Sequence, residues 1–570
     1  MIPPSIFRFP NDRLEPFDFS RDSTIQSSEF TNISANYIDI SQFSESEKLS
    51  AYMIQGLVNR NGPSLFICDG LSAFYWKSVL ENYSISFTQI MNLSDLISEY
   101  HPFINGVVVY DDFISDSINM ANMLSGILNA TIANNSHAKL LNETKGLPIL
   151  FNCSETIQQY SLLNKFDRYN WTYYNFKEYW NRTVVAMIPA DRDWRIIMNN
   201  RDYITKHRVF AFPEIHFGHD DENYNKTRED DLIYLLGNVL KTYPRGTKIY
   251  GFPFPTGGNE GEFVTLISKL GHYLIPSGYI ASASFHEMLP GIDSIKQSYR
   301  LETFVNSTVE NKIYVSFVVS DGDNIGYLQS YFVDYYWKDP LRSSVPLAYT
   351  ISGQLSGTFP YMLKYFYDSM TPNDFFLMAT GIGYAYPDKM DSESFRLFTD
   401  QTKKSMQTSD LDILWLLGAD KERTLTQFAA RTGATAIYSG FSGFSSGIRE
   451  GYLSGNTLIV PITKGGLKNS SQIIDFIEYV QSSNPNRPLF LVLYLDTWAT
   501  YTTGSIYTTI NTAMSHFDSM NVEFLRLDDF SYRYNEYLKF KIFNGWGAGL
   551  LWASFAIIGI GLWILIKEVN

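Results

Sequence analysis

Ile313-Tyr314-Val315-Ser316-Phe317-Val318-Val319, running on into Ser320-Asp321-Gly322-Asp323-Asn324, reads as a buried strand that delivers acidic residues at its carboxyl end. A short run that is apolar on both faces and rich in β-branched residues suits a parallel strand covered by helices on both sides. The unit recurs. Strand-like runs follow at Pro346–Ile351, Asp374–Ala379, Asp412–Leu417, Ala434–Tyr438, Leu458–Ile462, Leu489–Leu495 and Val522–Leu527, eight in all. Helical segments separate most of them, at Gly357–Met370, Glu393–Met406, Leu425–Arg431, Ser471–Ser482 and Ser505–Met520. Eight alternations in about 220 residues predict a (β/α)8-like barrel over residues 305–540. The Gly- and Ser-rich connection Phe441–Gly455 is the least helical, so a seven-stranded or distorted barrel is the alternative.

Upstream the chain reads as α/β. Residues 1–37 form a polar arm. Residues 38–155 predict a Rossmann-like layer, with Leu65–Cys68 and Gly106–Tyr110 as buried strands and Ser46–Val58 and Asn119–Leu128 as helices. No G-x-G-x-x-G loop follows a strand there, so nucleotide binding has no support. Residues 156–304 predict a second α/β domain with strands at Val184–Ile188, Val209–Phe212, Lys248–Phe252 and His272–Ile275. Its polar loop carrying His216, His219, Asp220 and Asp221 reads as a solvated turn before a metal site.

A chain of 570 residues exceeds one ordinary domain. The net charge of -14 argues against nucleic acid as a partner, while 16% aromatic residues suit the apolar faces of sugars. Cys68 and Cys153, the only cysteines, allow one disulfide or two structural thiols but no Cys-built zinc site. Gly545–Ile566 holds no charge over 22 residues and predicts a transmembrane helix. That implies a single-pass cell-membrane protein with a carboxyl-terminal anchor. Twelve Asn-x-Ser/Thr triplets favour an extracellular ectodomain, although Met1–Ser5 starts no signal peptide and Lys539 and Lys541 slightly oppose that orientation.

In such barrels the active site is built from loops at the carboxyl ends of the strands. The first strand run is followed by Asp321-Gly322-Asp323-Asn324 and the second by Ser352-Gly353-Gln354. Gly381-Ile382-Gly383-Tyr384-Ala385-Tyr386-Pro387 follows the third, Asp420 the fourth, Asp496-Thr497-Trp498 the seventh and Asp528-Asp529 the eighth. Acids gather at one face. Glycoside hydrolysis uses two carboxyl groups, one to protonate the leaving oxygen and one to act as nucleophile or to activate water. Asp321 and Asp323 are the first candidates, because repulsion between them raises one pKa toward the range of an acid catalyst. Asp496 is the partner. Asp420 and Asp528 read more readily as helix caps.

Tyr384, Tyr386 and Trp498, with Phe441, would stack on sugar; Asn324 and Gln354 would bind substrate; Arg449 and Lys464 would orient it. Gly381, Gly383 and Pro387 would shape their loop. Asp321 and Asp323 could instead hold Ca²⁺ or Mg²⁺, although the twelve-residue calcium loop is absent. No other metal or cofactor is expected. A zinc deacetylase would want histidines, and only His516 lies in the barrel segment.

Gly381–Pro387 matches the GxGYxYP signature, and the chain resembles the family of that name, whose glycoside hydrolase label rests on fold and motif. Gln55-Gly56-Leu57-Val58-Asn59-Arg60 with Pro63 resembles the family's amino-terminal domain, and Gly258-Asn259-Glu260-Gly261-Glu262-Phe263-Val264 is similar to a further stretch. The resemblance covers most of residues 40–535 and implies hydrolysis of a polysaccharide. A non-catalytic module that binds glycans or cell-envelope partners is the alternative.

Overall fold

The computed structural model describes residues 33–189, 200–217, 226–253, 259–278, 280–292, 295–299, 309–439, 449–497, 505–518 and 520–543. The chain opens with two three-stranded parallel sheets. One is ordered β2-β1-β3, from β1 (Ile33–Asp39), β2 (Leu65–Cys68) and β3 (Ile85–Ile90). The other is ordered β5-β4-β6, from β4 (Val107–Tyr110), β5 (Thr131–Asn134) and β6 (Ile149–Asn152). The Glu45–Val58 helix starts at a capping box in which Ser44 and Glu47 satisfy each other's backbone N–H groups. It is buried from Leu49 to Val58 because it packs on β5 and on the Arg201–His207 helix.

A four-stranded parallel sheet follows, ordered β10-β9-β7-β8, from β7 (Val184–Ile188), β8 (Phe210–Pro213), β9 (Lys248–Gly251) and β10 (Tyr273–Pro276). The Asn259–Lys269 helix connects β9 to β10. It brings its amino-terminal end to the next domain.

That domain is a ten-stranded sheet, and the runs expected from the sequence all form strands within it. They are β11 (Ile313–Val319), β12 (Leu347–Ser352), β13 (Asp374–Ala379), β14 (Ile413–Leu416), β15 (Ala436–Ser439), β17 (Thr457–Pro461), β19 (Leu489–Leu495) and β20 (Val522–Phe524). Two short strands, β16 (Tyr452–Ser454) and β18 (Lys464–Leu467), are additional. The order is β16-β17-β15-β14-β13-β12-β11-β19-β18, with β20 on β11. This corrects the eight-stranded barrel: the sheet curls without closing.

Two features prevent closure. β19 pairs with β11 along its whole length, so the seventh strand takes the place an eighth would need. β20, only three residues long, pairs with the amino half of β11 on the edge whose carboxyl half β12 occupies. At the open side, β16 folds back antiparallel on β17 and covers the edge that a closed ring would offer to β19. Thr463 bridges the remaining gap, its N–H donating to Val492 O and its Oγ1 accepting from Val492 N.

The membrane reading is also corrected. No helix among the described residues is long and apolar enough to cross a membrane. The single-pass anchor and the cell-membrane location drawn from it therefore find no support among the described residues; residues 545–566 themselves lie outside them. Six of the twelve Asn-x-Ser/Thr asparagines have a structural place in the fold. Asn92, Asn134, Asn152 and Asn469 each cap a helix, accepting backbone N–H groups with the side chain. Asn181 is buried, and Asn129 accepts from Arg60 Nη1. Cys68 and Cys153 are separate buried thiols, and burial pushes Cys68 up to about 12.

Candidate functional site

The carboxyl end of β11 supplies the first acids. Asp321 takes a left-handed backbone at φ 69°, which an L-residue adopts at a cost of about 1 kcal/mol. Gly322 can follow because a Cβ there would stand 1.6 Å from Thr350 O on β12. Its N–H donates to Thr350 Oγ1 at 3.0 Å. The turn then ends at Asn324, whose Oδ1 accepts Tyr327 N–H and starts the Ile325–Gln329 helix. Asp323 sits half-buried between these anchors. Burial first, then the charges of Asp321 and Glu260, push its carboxyl up to about 7.

The end of β19 supplies the next group. Tyr494 is buried against Trp415 of β14, with ring centroids 5.9 Å apart. Burial and then the charges of Asp321 and Asp496 raise its phenol. Leu495 lies opposite Val319 in the ladder between β19 and β11, which brings the first and seventh strand ends together. They meet because β19 lies beside β11.

The third group is the loop after β13. Thr380 and Gly381 both take positive φ, 54° and 74°. A Cβ on Gly381 would stand 2.9 Å from Thr402 Oγ1, and one on Gly383 would stand 2.4 Å from Tyr273 Cδ2. Gly383 thus lets the loop lie against β10, where Tyr384 and Leu274 exchange backbone hydrogen bonds of 2.7 and 2.9 Å. Gln354 Nε2 braces the loop by donating to Ile382 O at 2.7 Å. Tyr386 is extended before Pro387, which opens a 3₁₀ turn. Gly418 admits the Tyr386 ring, since a Cβ there would stand 2.1 Å from Tyr386 Cδ1.

Of the acids expected from the sequence, Asp321 and Asp323 share the turn after β11, Asp496 follows the adjoining β19, and two lie elsewhere. Asp420 is exposed and its N–H donates to Asp388 Oδ2. Asp528 is buried in a two-bond pair with Arg526, both contacts at 2.7 Å. It lines a cavity of about 680 Å³ together with Asp412, Thr435 and Thr457, at the amino ends of the strands and away from this face. Among the described residues no three His, Cys, Asp or Glu side chains gather as a metal would need. Trp498 and Phe441, like His219, Asp220 and Asp221, lie outside the described residues.

Glu260 is the group missed from sequence. It comes from the preceding domain, and its Oε1 accepts the Tyr384 hydroxyl at 2.5 Å. The hydroxyl of Tyr386 lies 3.2 Å from that of Tyr384. Its only sequence signal was its place in Gly258–Val264, because strand-end reasoning searches one domain at a time.

Comparison with known proteins agrees with this architecture. Residues 311–535 match the model of the GxGYxYP putative glycoside hydrolase C-terminal domain. A crystal structure of a putative hydrolase from Bacteroides thetaiotaomicron superposes with a TM-score of 0.73 at 23% identity, over 88% of this chain and 95% of that one. That likeness shows the fold. A probable polysaccharide deacetylase from Pseudomonas aeruginosa PAO1 covers 40% of this chain and 92% of its own at 12% identity, with a TM-score of 0.31. No curated protein matches the sequence.

Proposed function

We propose that the protein is a glycoside hydrolase acting on a polysaccharide, on the match of residues 311–535 to the GxGYxYP putative glycoside hydrolase C-terminal domain. The observation that supports this reading is that Asp321 and Asp323 follow β11 and Asp496 follows β19, two strands paired side by side with Val319 opposite Leu495. Asp323 is the proton donor. Its carboxyl, at about 7, keeps a proton at neutral pH and can pass it to a leaving glycosidic oxygen. Asp496 is the nucleophile or the base that activates water, and Asp321 holds the proton on Asp323 through its charge. The buried Tyr384 and the half-buried Tyr386 brace the site from the loop that Gly381, Gly383 and Pro387 set.

The test is release of reducing ends from a panel of polysaccharides by the wild type and by Asp321→Asn, Asp323→Asn and Asp496→Asn. Loss of about 10²-fold or more in Asp323→Asn and Asp496→Asn is expected. Full activity in both would overturn the assignment. Glycan binding with no reducing ends from the wild type would support a binding module instead.

A further inference from the structure

The Asn259–Lys269 helix turns Glu260, Val264 and Ser268 to one face, since positions four and eight apart align on a helix. Phe263, Val264 and Ile267 bury this helix in its own domain. Glu260 and Ser268 reach the signature loop of the next one. Ser268 Oγ accepts Tyr386 N–H at 2.9 Å, and Glu260 Oε1 accepts the Tyr384 hydroxyl at 2.5 Å. With the Tyr384–Leu274 backbone pair, four hydrogen bonds tie this loop to the second α/β domain.

The two partners of the short bond differ in burial. Tyr384 is 5% exposed, whereas Glu260 is exposed. Among the described residues Tyr384 is the only hydrogen-bond partner of the Glu260 side chain. Oε1 is therefore pinned by a buried phenol, and among the described residues Oε2 has no hydrogen-bond partner. A carboxylate held in this way is a preorganised acceptor for sugar hydroxyls, because the entropy of ordering a long side chain has been spent on folding.

We propose that the active centre is built by two domains and that Glu260 is its substrate-binding carboxylate. Oε2 accepts a hydroxyl of the sugar presented to Asp323, and Tyr384 fixes the orientation of that acceptor. This rests on the glycoside hydrolase reading and adds a residue outside the matched family domain. The signature loop acquires a role: its glycines let it dock on β10, and docking places the Tyr384 phenol on Glu260. The charge of Glu260 also acts on Asp323, so binding and proton donation are coupled.

The full chain carrying Glu260→Gln tests this, with Glu260→Asp, Tyr384→Phe and Asp323→Asn beside it. Gln keeps the acceptor for Tyr384 and removes the charge. Loss of the charge-assisted bond predicts a fall in kcat/KM of about 10- to 100-fold, carried largely by KM, with smaller falls in Glu260→Asp and Tyr384→Phe. The alkaline limb of the pH profile moves to lower pH in Glu260→Gln, which a merely structural role would not do. Wild-type kcat/KM and an unmoved limb in Glu260→Gln, alongside an inactive Asp323→Asn, would overturn the composite site and leave the hydrolase reading standing. Full activity in Asp323→Asn would overturn the hydrolase reading itself. A readout that needs no substrate is carbodiimide coupling of glycine ethyl ester near pH 6.5, followed by peptide mass spectrometry. Asp323 labelling falls in Glu260→Gln if the two carboxyls share one site, and equal labelling in the folded variant counts against it.

Discussion

Asp323 lies on a backbone turn that fixes its place, where burial first and then the charges of Asp321 and Glu260 oppose its ionisation, and that conflict is measurable. Its carboxyl stands at about 7 in the fold against 3.8 without it, so the folded state holds a proton there that the unfolded chain releases. The stability this proton confers is complete below about pH 4 and is lost as pH rises through 7. Each pKa unit is worth about 1.4 kcal/mol, so the upper bound on the loss is about 4 kcal/mol. Asp323→Asn removes the penalty: its Tm exceeds the wild type's at pH 8, and the two converge near pH 4. Melting curves at both pH values check this, and an Asn variant less stable at pH 8 would reject the perturbed carboxyl. Gly322 tests the turn. In Gly322→Ala the added methyl would stand 1.6 Å from Thr350 O, a backbone atom of the adjoining strand that has little room to retreat. Overpacking of this kind costs about 1 to 3 kcal/mol or more. Chemical denaturation reads the cost directly, and unchanged stability would show that β12 yields.

At the scale of elements, the pattern of the sequence was enough to place eight of the ten strands of the carboxyl domain, because buried parallel strands are uniformly apolar. Closure was not legible. It depends on which strand edges meet, and neither the three-residue β20 nor the returning β16 carries a strong pattern of its own. Asp321, Asp323 and Asp496 were legible as strand-end acids, and no more than that, for the same reason as the strands they follow. Glu260 was not, because nothing local in Gly258–Val264 records that its partner is Tyr384, more than a hundred residues away. Gln297 is another case. β13 pairs with β14 only at Met378 and Ala379, leaving Phe376 without a ladder partner on that side. The Gln297 amide fills the gap as a peptide would: Nε2 donates to Phe376 O at 3.1 Å and to Asp410 O at 3.0 Å, and Oε1 accepts Phe376 N–H at 2.8 Å. Gln297→Ala leaves buried backbone groups unpaired and is expected to cost about 2 to 4 kcal/mol. Gln297→Glu should be no better, since it keeps the acceptor and loses the donor. Equilibrium unfolding of both variants decides it.

At the scale of the molecule, the composite centre requires the sheets to hold their relative positions, and Ser282–Glu287 is the segment that joins them. Ser282 Oγ accepts from Gln55 Nε2 at 2.8 Å, and Ser284 Oγ accepts from Asn59 Nδ2 at 3.1 Å, so the Glu45–Val58 helix and its C-cap are held from here. His286 packs on Phe66 of β2 and on Phe359 of the carboxyl domain, at 5.7 and 4.8 Å between ring centroids. Glu287 Oε1 is shared by Lys206 Nζ at 2.7 Å and His207 Nε2 at 2.6 Å. Burial alone would raise the Glu287 carboxyl, but His207 and Lys206 outweigh it and hold it at about 2. A carboxyl depressed below its unfolded value of 4.5 contributes stability that is present above pH 4.5 and lost as pH falls through 2. That window is worth about 3 kcal/mol. Glu287→Gln should therefore destabilise the protein near pH 7, where a buried Lys206 ammonium loses its counter-charge, and should differ little from the wild type at pH 2. The same variant touches no residue of the proposed centre, yet it loosens the junction on which the Glu260–Tyr384 bond depends. Its kcat/KM should fall at neutral pH in step with the loss of stability. An equal loss of stability at both pH values would assign Glu287 a packing role in place of an electrostatic one.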